Sequence, residues 1–208
     1  MSIKIGCMTI GNVQTNCYFV YDEVEKKALL FDPPTDGAGI EAALKKHDIE
    51  VAAIFLTHGH FDHIMGVNEL RDLAGCKVYA SKYEENLLAS ADLNVSNQID
   101  RSYTVKADVL LEDGQEVEVC GIKVKMISTP GHTEGSCCYY LEQEGFLIAG
   151  DTLFAGSCGR TDLPTGSMGM IERSIKEKLM CLPDDVKLYP GHGEESTIGH
   201  ERKYNPFC

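Results

Sequence analysis

The sequence lacks the excess of basic residues that nucleic-acid-binding proteins usually carry. Its 208 residues include 19 lysines and arginines against 32 aspartates and glutamates, and the net charge is −13. We therefore expect no nucleic-acid partner. No apolar run reaches the roughly 18 residues that suggest a membrane-spanning helix, so we expect no membrane association. The first residues lack a basic leader followed by a long apolar run, which predicts a cytoplasmic protein.

The sequence also lacks paired cysteine motifs. None of its nine cysteines stands in C-x-x-C spacing, and an odd number without a secretory signal argues against a disulfide framework. Most lie inside apolar runs, such as Cys17 in NCYFVY and Cys137 and Cys138 in SCCYYL, where cysteine acts as a small hydrophobe. We expect reduced, buried thiols.

Short apolar runs alternate with helical patterns, without a low-complexity segment or a linker. Predicted strands cover residues 3–7, 16–21, 28–32, 51–56, 77–80, 116–119, 122–127, 136–141, 146–149 and 186–189. Predicted helices cover residues 39–47, 64–74, 82–89 and 171–181. We interpret the polar stretch 90–106 as a surface excursion. These patterns predict a single mixed α/β domain over residues 1–208.

The segment VAAIFLTHGHFDHIMGVNEL places four ligand-type side chains directly after a predicted strand. Residues i and i+2 of an extended backbone point the same way, so His58 and His60 can converge on one ion. Asp62 and His63 lie past the turn, at the start of the next helix, where they can face a second ion.

Three later strands end in a glycine beside a ligand-type residue: His132 in TPGH, Asp151 in GD and His192 in PGH. Taken alone, each of these is more often a turn than a ligand site. Together with the H-x-H-x-D-H segment they predict a metal site built from four strand ends at one edge of a sheet. His47 and His200 stand outside the pattern, and we expect both to be solvated.

The order THGHFDH, PGHT, GDTLF and PGHG resembles that of the metallo-β-lactamase-fold hydrolases over nearly the whole chain. GDTLFAGSCGRTDLPTGS and GHGEESTIGHERKYNPF are similar to the short branch related to glyoxalase II, the hydroxyacylglutathione hydrolases. The resemblance implies a four-layer αββα sandwich with the metals at one edge. It also implies the ligands of each ion: His58, His60 and His132 for the first, Asp62, His63 and His192 for the second, and Asp151 bridging both.

Two divalent cations can share a hydroxide that attacks a substrate carbonyl, so no serine or cysteine nucleophile is needed. We expect two ions, with zinc preferred and iron or manganese also suited to mixed imidazole and carboxylate ligands. Asp62 and Asp151 are interpreted as catalytic residues as well as ligands. A thiolate departs without being protonated, whereas an amine needs a general acid, and the obvious titratable groups here are committed to metal. This favours a small-molecule acyl thioester as the substrate.

Arg160, in the segment CGRTD after Asp151, is interpreted as a group that binds a substrate carboxylate. An ion pair between Arg160 and Asp162 explains the same segment equally well. Full-length glyoxalase II has a helical C-terminal domain that helps to bind glutathione, and only residues 193–208 follow His192 here. We therefore expect weak discrimination over the thiol part of the substrate.

Two alternatives stay open. The CGRTD segment is similar to that of sulfur dioxygenases, which use one iron held by two histidines and an aspartate, although a second-metal set is complete here. The other alternative is a non-catalytic metal-binding protein on the same fold, against which the retention of all seven ligand-type residues counts. The acidity disfavours a ribonuclease Z-like nuclease. The sequence carries no indication of the oligomeric state.

Overall fold

The computed structural model of the protein describes residues 2–99 and 101–208. Its first six strands are β1 (Ile3–Ile10), β2 (Thr15–Asp22), β3 (Lys27–Phe31), β4 (Glu50–Phe55), β5 (Lys77–Ser81) and β6 (Val109–Leu111). They form one sheet in the order β1-β2-β3-β4-β5-β6. The first three strands are antiparallel, whereas β4, β5 and β6 continue the sheet in parallel from β3.

A second sheet contains β7 (Glu116–Val119), β8 (Ile122–Ser128), β9 (Cys137–Leu141), β10 (Phe146–Gly150), β13 (Lys187–Pro190) and β14 (Ser196–Thr197). Its order is β14-β13-β10-β9-β8-β7. Since β9 is antiparallel to both β8 and β10, and β13 is parallel to β10, the carboxyl ends of β8, β10 and β13 lie at the same edge. The small hairpin of β11 (Leu153–Phe154) and β12 (Ser157–Cys158) stands apart from both sheets.

The α-helices are α1 (Gly37–Lys45), α2 (Phe61–Ile64), α3 (Val67–Ala74), α4 (Glu85–Leu88), α5 (Met168–Ser174) and α6 (Ile198–Tyr204). Two 3₁₀ turns cover Lys82–Glu84 and Ser96–Ile99, and a π-helical turn at Ile175–Leu179 prolongs α5. No helix in the described part of the chain has both the length and the apolar character needed to cross a membrane.

The two sheets pack face to face through an aromatic core. The rings of Phe31 and Phe55, from the first sheet, lie 5.7 and 5.2 Å from the ring of Tyr139 in the second. Each is fully buried, and burial of a side chain of this size contributes roughly 1.5–3 kcal/mol. This interface forms the centre of the molecule and holds both sheets rigidly at the edge where their strands end.

Helices cover the outer face of each sheet. The first sheet is covered by α1, through Ile40 and Leu44, and by α3, through Val67 and Leu70; this i, i+3 and i+4 spacing is that of an amphipathic helix. The second sheet packs against Ile171, from α5, and its π-helical extension. The four-layer αββα architecture expected from the sequence is therefore confirmed.

Three local expectations were wrong. The predicted helix 64–74 is divided into α2 and α3 at Gly66, whose amide donates to the carbonyl of Pro33 at 3.0 Å. The stretch 90–106 is not only a surface excursion, because Asn94, Val95 and Ser96 are buried. The cysteines are without disulfides, but Cys7, Cys120 and Cys181 are exposed rather than buried.

Candidate metal centre

The predicted ligand residues come together where the two sheets meet at one edge. His58 follows β4, while His60, Asp62 and His63 lie at and within the short helix α2. The second sheet supplies the other three from the ends of β8, β10 and β13: His132, Asp151 and His192. Four of the imidazoles are almost completely buried, whereas the side chain of His192 is 24% exposed and that of Asp62 is 14% exposed. The cluster is therefore open to solvent on the side of Asp62, Asp151 and His192.

His58, His60 and His132 form a first triplet of nitrogen atoms, all within 4.8 Å of one another. The Nε2 atom of His132 lies 2.8 Å from Nδ1 of His60 and 3.2 Å from Nε2 of His58. These three imidazoles come from both sheets, so the position of this triplet depends on how the sheets pack.

Asp62, His63 and His192 form a second triplet. Nε2 of His192 lies 3.2 Å from Oδ2 of Asp62 and 3.4 Å from Nε2 of His63. Asp151 lies between the triplets, since its Oδ2 atom is 3.6 Å from Nε2 of both His132 and His192. His58 also groups with His63 and Asp151, which places the two triplets side by side.

The electrostatic environment keeps four of the predicted ligand groups in the state that binds cations. Burial lowers the pKa of His58 well below its usual value and that of His60 to about 3, so both imidazoles are neutral at pH 7. Burial opposes ionisation of Asp62 and Asp151, but neighbouring imidazoles, His63 first among them, lower the pKa of both carboxyls. Neutral imidazoles and ionised carboxylates are the ligand forms that divalent metals require. In His63 and His192, by contrast, burial opposes protonation but the carboxylates of Asp62 and Asp151 raise the pKa, so a cation bound there must displace a proton.

The spacing of the donor atoms fits metal coordination. A tetrahedral site with metal–nitrogen distances of about 2.0–2.1 Å places its ligand atoms roughly 3.3 Å apart. Most of the nitrogen and oxygen separations described above fall between 3.2 and 3.6 Å. Oδ1 of Asp151 is buried without a hydrogen-bond partner among the described residues and lies 3.4 Å from Nε2 of His63. A cation between these groups satisfies the orphaned oxygen and separates the facing lone pairs.

A buried carboxylate behind the cluster, Asp32, was missed by sequence reasoning. Its Oδ2 atom lies 3.1 Å from Nδ1 of His63 and accepts the hydroxyl proton of Thr57 at 2.6 Å. Thr57 Oγ1 lies in turn 3.1 Å from Nδ1 of His58. These contacts hold the proton of each imidazole on Nδ1, so that the unprotonated Nε2 faces the cluster. The only available signal was the position of Asp32 at the end of a predicted strand.

Residues of β2 hold the loop that carries His192, and sequence reasoning also missed them. The side-chain amide of Asn16 donates to the carbonyls of Pro190 and Gly193 at 3.1 and 3.0 Å, and Tyr18 donates its hydroxyl to Pro190 at 3.0 Å. Gly191 must be glycine, because a Cβ atom there would stand 2.2 Å from Oδ1 of Asp151.

Arg160 contributes to the site through its backbone. Nδ1 of His132 donates to the carbonyl oxygen of Arg160 at 2.7 Å. The guanidinium instead forms two hydrogen bonds of 2.7 Å with the carboxylate of Asp162, and both side chains are well exposed. The ion pair weighed in the sequence analysis is thus present, and binding of a substrate carboxylate by Arg160 stays a prediction.

A cavity of about 600 Å³ opens onto the cluster. Its walls combine five of the predicted ligand residues with other, mostly apolar or small polar, side chains: Val13, His60, Phe61, Asp62, Val95, His132, Asp151, Phe154, Ser157, Cys158, Arg160, Leu163 and His192. A more apolar hollow of about 460 Å³ shares Val13, Phe61 and Asp62 with it. His47 and His200 lie away from this region and are exposed, as expected.

The wall beside Phe154 depends on helix α6. Asn205 donates from its amide to the carbonyls of Phe154 and Ser157 at 3.1 and 2.9 Å, and the buried carboxylate of Glu201 accepts the amide proton of Gly156 at 2.8 Å. The sequence pattern predicts no helix in this segment. The C-terminal residues therefore shape one side of the cavity.

Comparison with known proteins agrees with this geometry. The family model of the metallo-beta-lactamase superfamily matches residues 10–192 of this chain. The chain belongs to this superfamily.

Relatives within the superfamily match almost end to end. The probable metallo-hydrolase YqgX of Bacillus subtilis is 38% identical over 96% of this chain and 95% of its own length. The hydroxyacylglutathione hydrolase GloC of Haemophilus influenzae is 30% identical over 99% of this chain and 98% of its own. The crystal structure of the B3 metallo-beta-lactamase BLEG-1 superposes with a TM-score of 0.93 at 37% identity, covering 98% of this chain and 99% of that one. The names of YqgX and BLEG-1 describe metal-dependent enzymes, while GloC and BLEG-1 are named for different substrates.

Proposed function

We propose that this protein is a two-metal hydrolase that cleaves small acyl thioesters, similar in activity to hydroxyacylglutathione hydrolase. The observation that carries the proposal is a pair of separate ligand triplets with one carboxylate, Asp151, between them at the floor of an open cavity. One metal ion requires only one of the triplets, and a purely structural metal site is normally closed to solvent.

His58, His60 and His132 are the ligands that would hold the first ion, and Asp62, His63 and His192 those that would hold the second. Asp151 contacts both sets. Nitrogen and oxygen donors of this kind suit zinc, iron and manganese, and we prefer zinc because the ligand spacing matches a tetrahedral site. When bound, such ions lower the pKa of a coordinated water toward about 7 and polarise a substrate carbonyl.

Asp62 and Asp151 are the carboxylates that we assign to catalysis. Both line the cavity, and the lowered pKa of each keeps it ionised at neutral pH. Asp62 is the more exposed of the two and accepts a hydrogen bond from Thr15 Oγ1 at 3.3 Å, which orients it at the cavity mouth. In that position its carboxylate can accept a hydrogen bond from a water molecule next to the reacting carbonyl.

The lining of the cavity favours a leaving group that needs no proton. Apart from the ligand residues, its titratable side chains are Cys158 and Arg160. Burial raises the pKa of the Cys158 thiol, and the guanidinium of Arg160 stays protonated beside Asp162, so neither is a suitable general acid at pH 7. A thiolate, with a parent pKa of about 8.5, leaves unaided, whereas an amine does not.

The leaving-group argument is tested with substrates that share one acyl group. Steady-state kinetics on lactoyl thioesters, the matching oxygen ester and the matching amide should give the highest kcat/KM for the thioesters. A β-lactam belongs in the same series, because a structure 37% identical to this chain is named as a β-lactamase. Faster cleavage of the β-lactam or the amide than of any thioester would overturn the proposed substrate class.

The metal count is tested separately by elemental analysis of protein purified without chelator and reconstituted with excess zinc. We expect two ions per chain. The exposed histidines provide a control, since His200→Ala should leave the count unchanged. One ion per chain, together with oxygen consumption in the presence of glutathione persulfide, would instead support the sulfur dioxygenase alternative.

A further inference from the structure

A buried glutamate outside the ligand set joins the two loops that carry the first triplet. Glu84 ends the 3₁₀ turn after β5, and only 1% of its surface is exposed. Its Oε1 atom accepts the backbone proton of Gly59 at 2.8 Å and the hydroxyl of Thr133 at 2.9 Å, and its Oε2 atom lies 3.0 Å from the same hydroxyl.

These partners are the immediate neighbours of the ligands. Gly59 stands between His58 and His60 on the first sheet, and Thr133 follows His132 on the second. Gly135 approaches the carboxylate so closely that a Cβ atom there would lie 2.4 Å from Glu84 Oε2. A single side chain thus ties the histidine loop of one sheet to the histidine loop of the other.

The charge of Glu84 has no basic partner in the described part of the chain. Burial raises the pKa of this carboxyl to about 7, against the opposing effect of the hydrogen bonds from Gly59, Thr133 and Gly135. All of these partners are donors, and a carboxylate can only accept. An amide in its place turns a donor toward at least one of them, which breaks the link on one side.

We infer that Glu84 is a positioning residue that sets the distance of His58 and His60 from His132 and so controls metal affinity at the first triplet. This inference rests on the metal-binding part of the proposed function. Displacement of one loop spreads three nitrogen atoms that now lie within 4.8 Å of one another. Glu84 forms no hydrogen bond with the described segments that carry the second triplet. Asp62 and His63 belong to α2, and Asn16 holds the loop of His192 through the carbonyl of Gly193.

The test is a competition titration of Zn²⁺ against a chromogenic chelator, with wild type and Glu84→Gln. In the variant we expect one of two ions to bind about 10-fold more weakly and the other to be within a few-fold of wild type. Glu201→Gln is the matched control, since Glu201 is also fully buried and accepts a backbone amide, but from Gly156. That variant should bind both ions as wild type does.

A second pair of variants covers the case in which Glu84→Gln fails to fold. Thr133→Val removes the hydroxyl that Glu84 accepts, whereas Thr133→Ser keeps it. We expect the valine variant to have a lower affinity for one ion and the serine variant to have the affinity of the wild type. Unchanged affinity for both ions, or equal weakening of both, would overturn the inference. If the wild type binds one ion only, the two-metal proposal fails while the Glu84 comparison is still decided on the ion that remains.

Discussion

The most informative single change is Asp32→Asn, because it changes the protons that face His63 and Thr57 and hardly changes the shape of the side chain. Asp32 has a left-handed backbone, with φ of 51°, which asparagine also adopts readily. The amide oxygen can keep the hydrogen bond from the Thr57 backbone, now 2.8 Å from Oδ1. The amide nitrogen then replaces Oδ2 and points a donor at Nδ1 of His63.

Two donors cannot face each other, so His63 must release the proton on Nδ1 and carry it on Nε2. Nε2 is the atom that faces the cluster, 3.4 Å from Oδ1 of Asp151 and 3.6 Å from Oδ2 of Asp62. A protonated nitrogen cannot coordinate a metal. We therefore expect a loss of about 10–100-fold in affinity for one ion, which corresponds to roughly 1.4–2.7 kcal/mol.

The assay is a chelator competition titration, combined with thermal unfolding in excess chelator to confirm that the variant folds. Asp36→Asn is the control, since Asp36 has the same φ of 51° and accepts the Gly39 amide at 3.0 Å, but lies at the start of α1. It should bind metal as wild type does. A folded Asp32→Asn variant with wild-type affinity for both ions would refute the tautomer argument.

Five further variants separate the roles of residues in and around the cavity. Asp62→Ala should remove one ion and most turnover without unfolding, because the side chain is at the rim. His63→Ala should also lower the free energy of unfolding by about 1–3 kcal/mol, because it removes the imidazole partner of buried Asp32 and leaves only the hydrogen bonds from Thr57. Elemental analysis and denaturation measure both effects. Arg160→Ala should raise KM less than about 5-fold, the range of an exposed ion pair, and Asp162→Ala, which frees the guanidinium, should lower it if Arg160 binds substrate. Asn205→Ala should release the hairpin beside Phe154 and raise KM with two ions still bound.

The ten predicted strands all appear in the structure, because a buried strand in a two-sheet core is a short apolar run bounded by turn residues. The elements that the sequence patterns did not predict have little apolar periodicity. In α6 the buried residues are Ile198 and a glutamate, so no apolar stripe marks the helix. Strands β6 and β14 lie at sheet edges and contain three and two residues. Gly66 breaks the predicted helix 64–74 through a tertiary contact with Pro33 that no local pattern encodes.

The residues of the candidate site could likewise be predicted only in part. The side chains that form its two triplets could be predicted, since imidazole and carboxylate groups recur after strand ends in a recognisable order. Their supports could not, because Asp32 and Glu84 are ordinary acidic residues in the sequence and only the fold buries them. A carboxylate is normally exposed, so burial with several donors around it signals a role that composition does not reveal.

Glu84 makes the stability of the folded protein depend on pH. Burial raises its pKa from 4.5 to about 7, so between these values the folded protein holds a proton that the unfolded chain has lost. Stability therefore falls as pH rises through this window, by about 3 kcal/mol for such a shift. Glutamine does not titrate, so the free energy of unfolding of wild type minus that of Glu84→Gln isolates this contribution.

Urea denaturation in excess chelator at pH 5, 6, 7 and 8 measures that difference. We expect wild type to lose stability relative to Glu84→Gln as pH rises, and to regain it when zinc is restored, because nearby positive charge favours the carboxylate. A difference that stays flat, or that rises with pH in chelator, would show that the carboxylate is not disfavoured by burial. The expected pattern means that the ionised form of Glu84 destabilises the metal-free protein, and that bound ions remove this destabilisation.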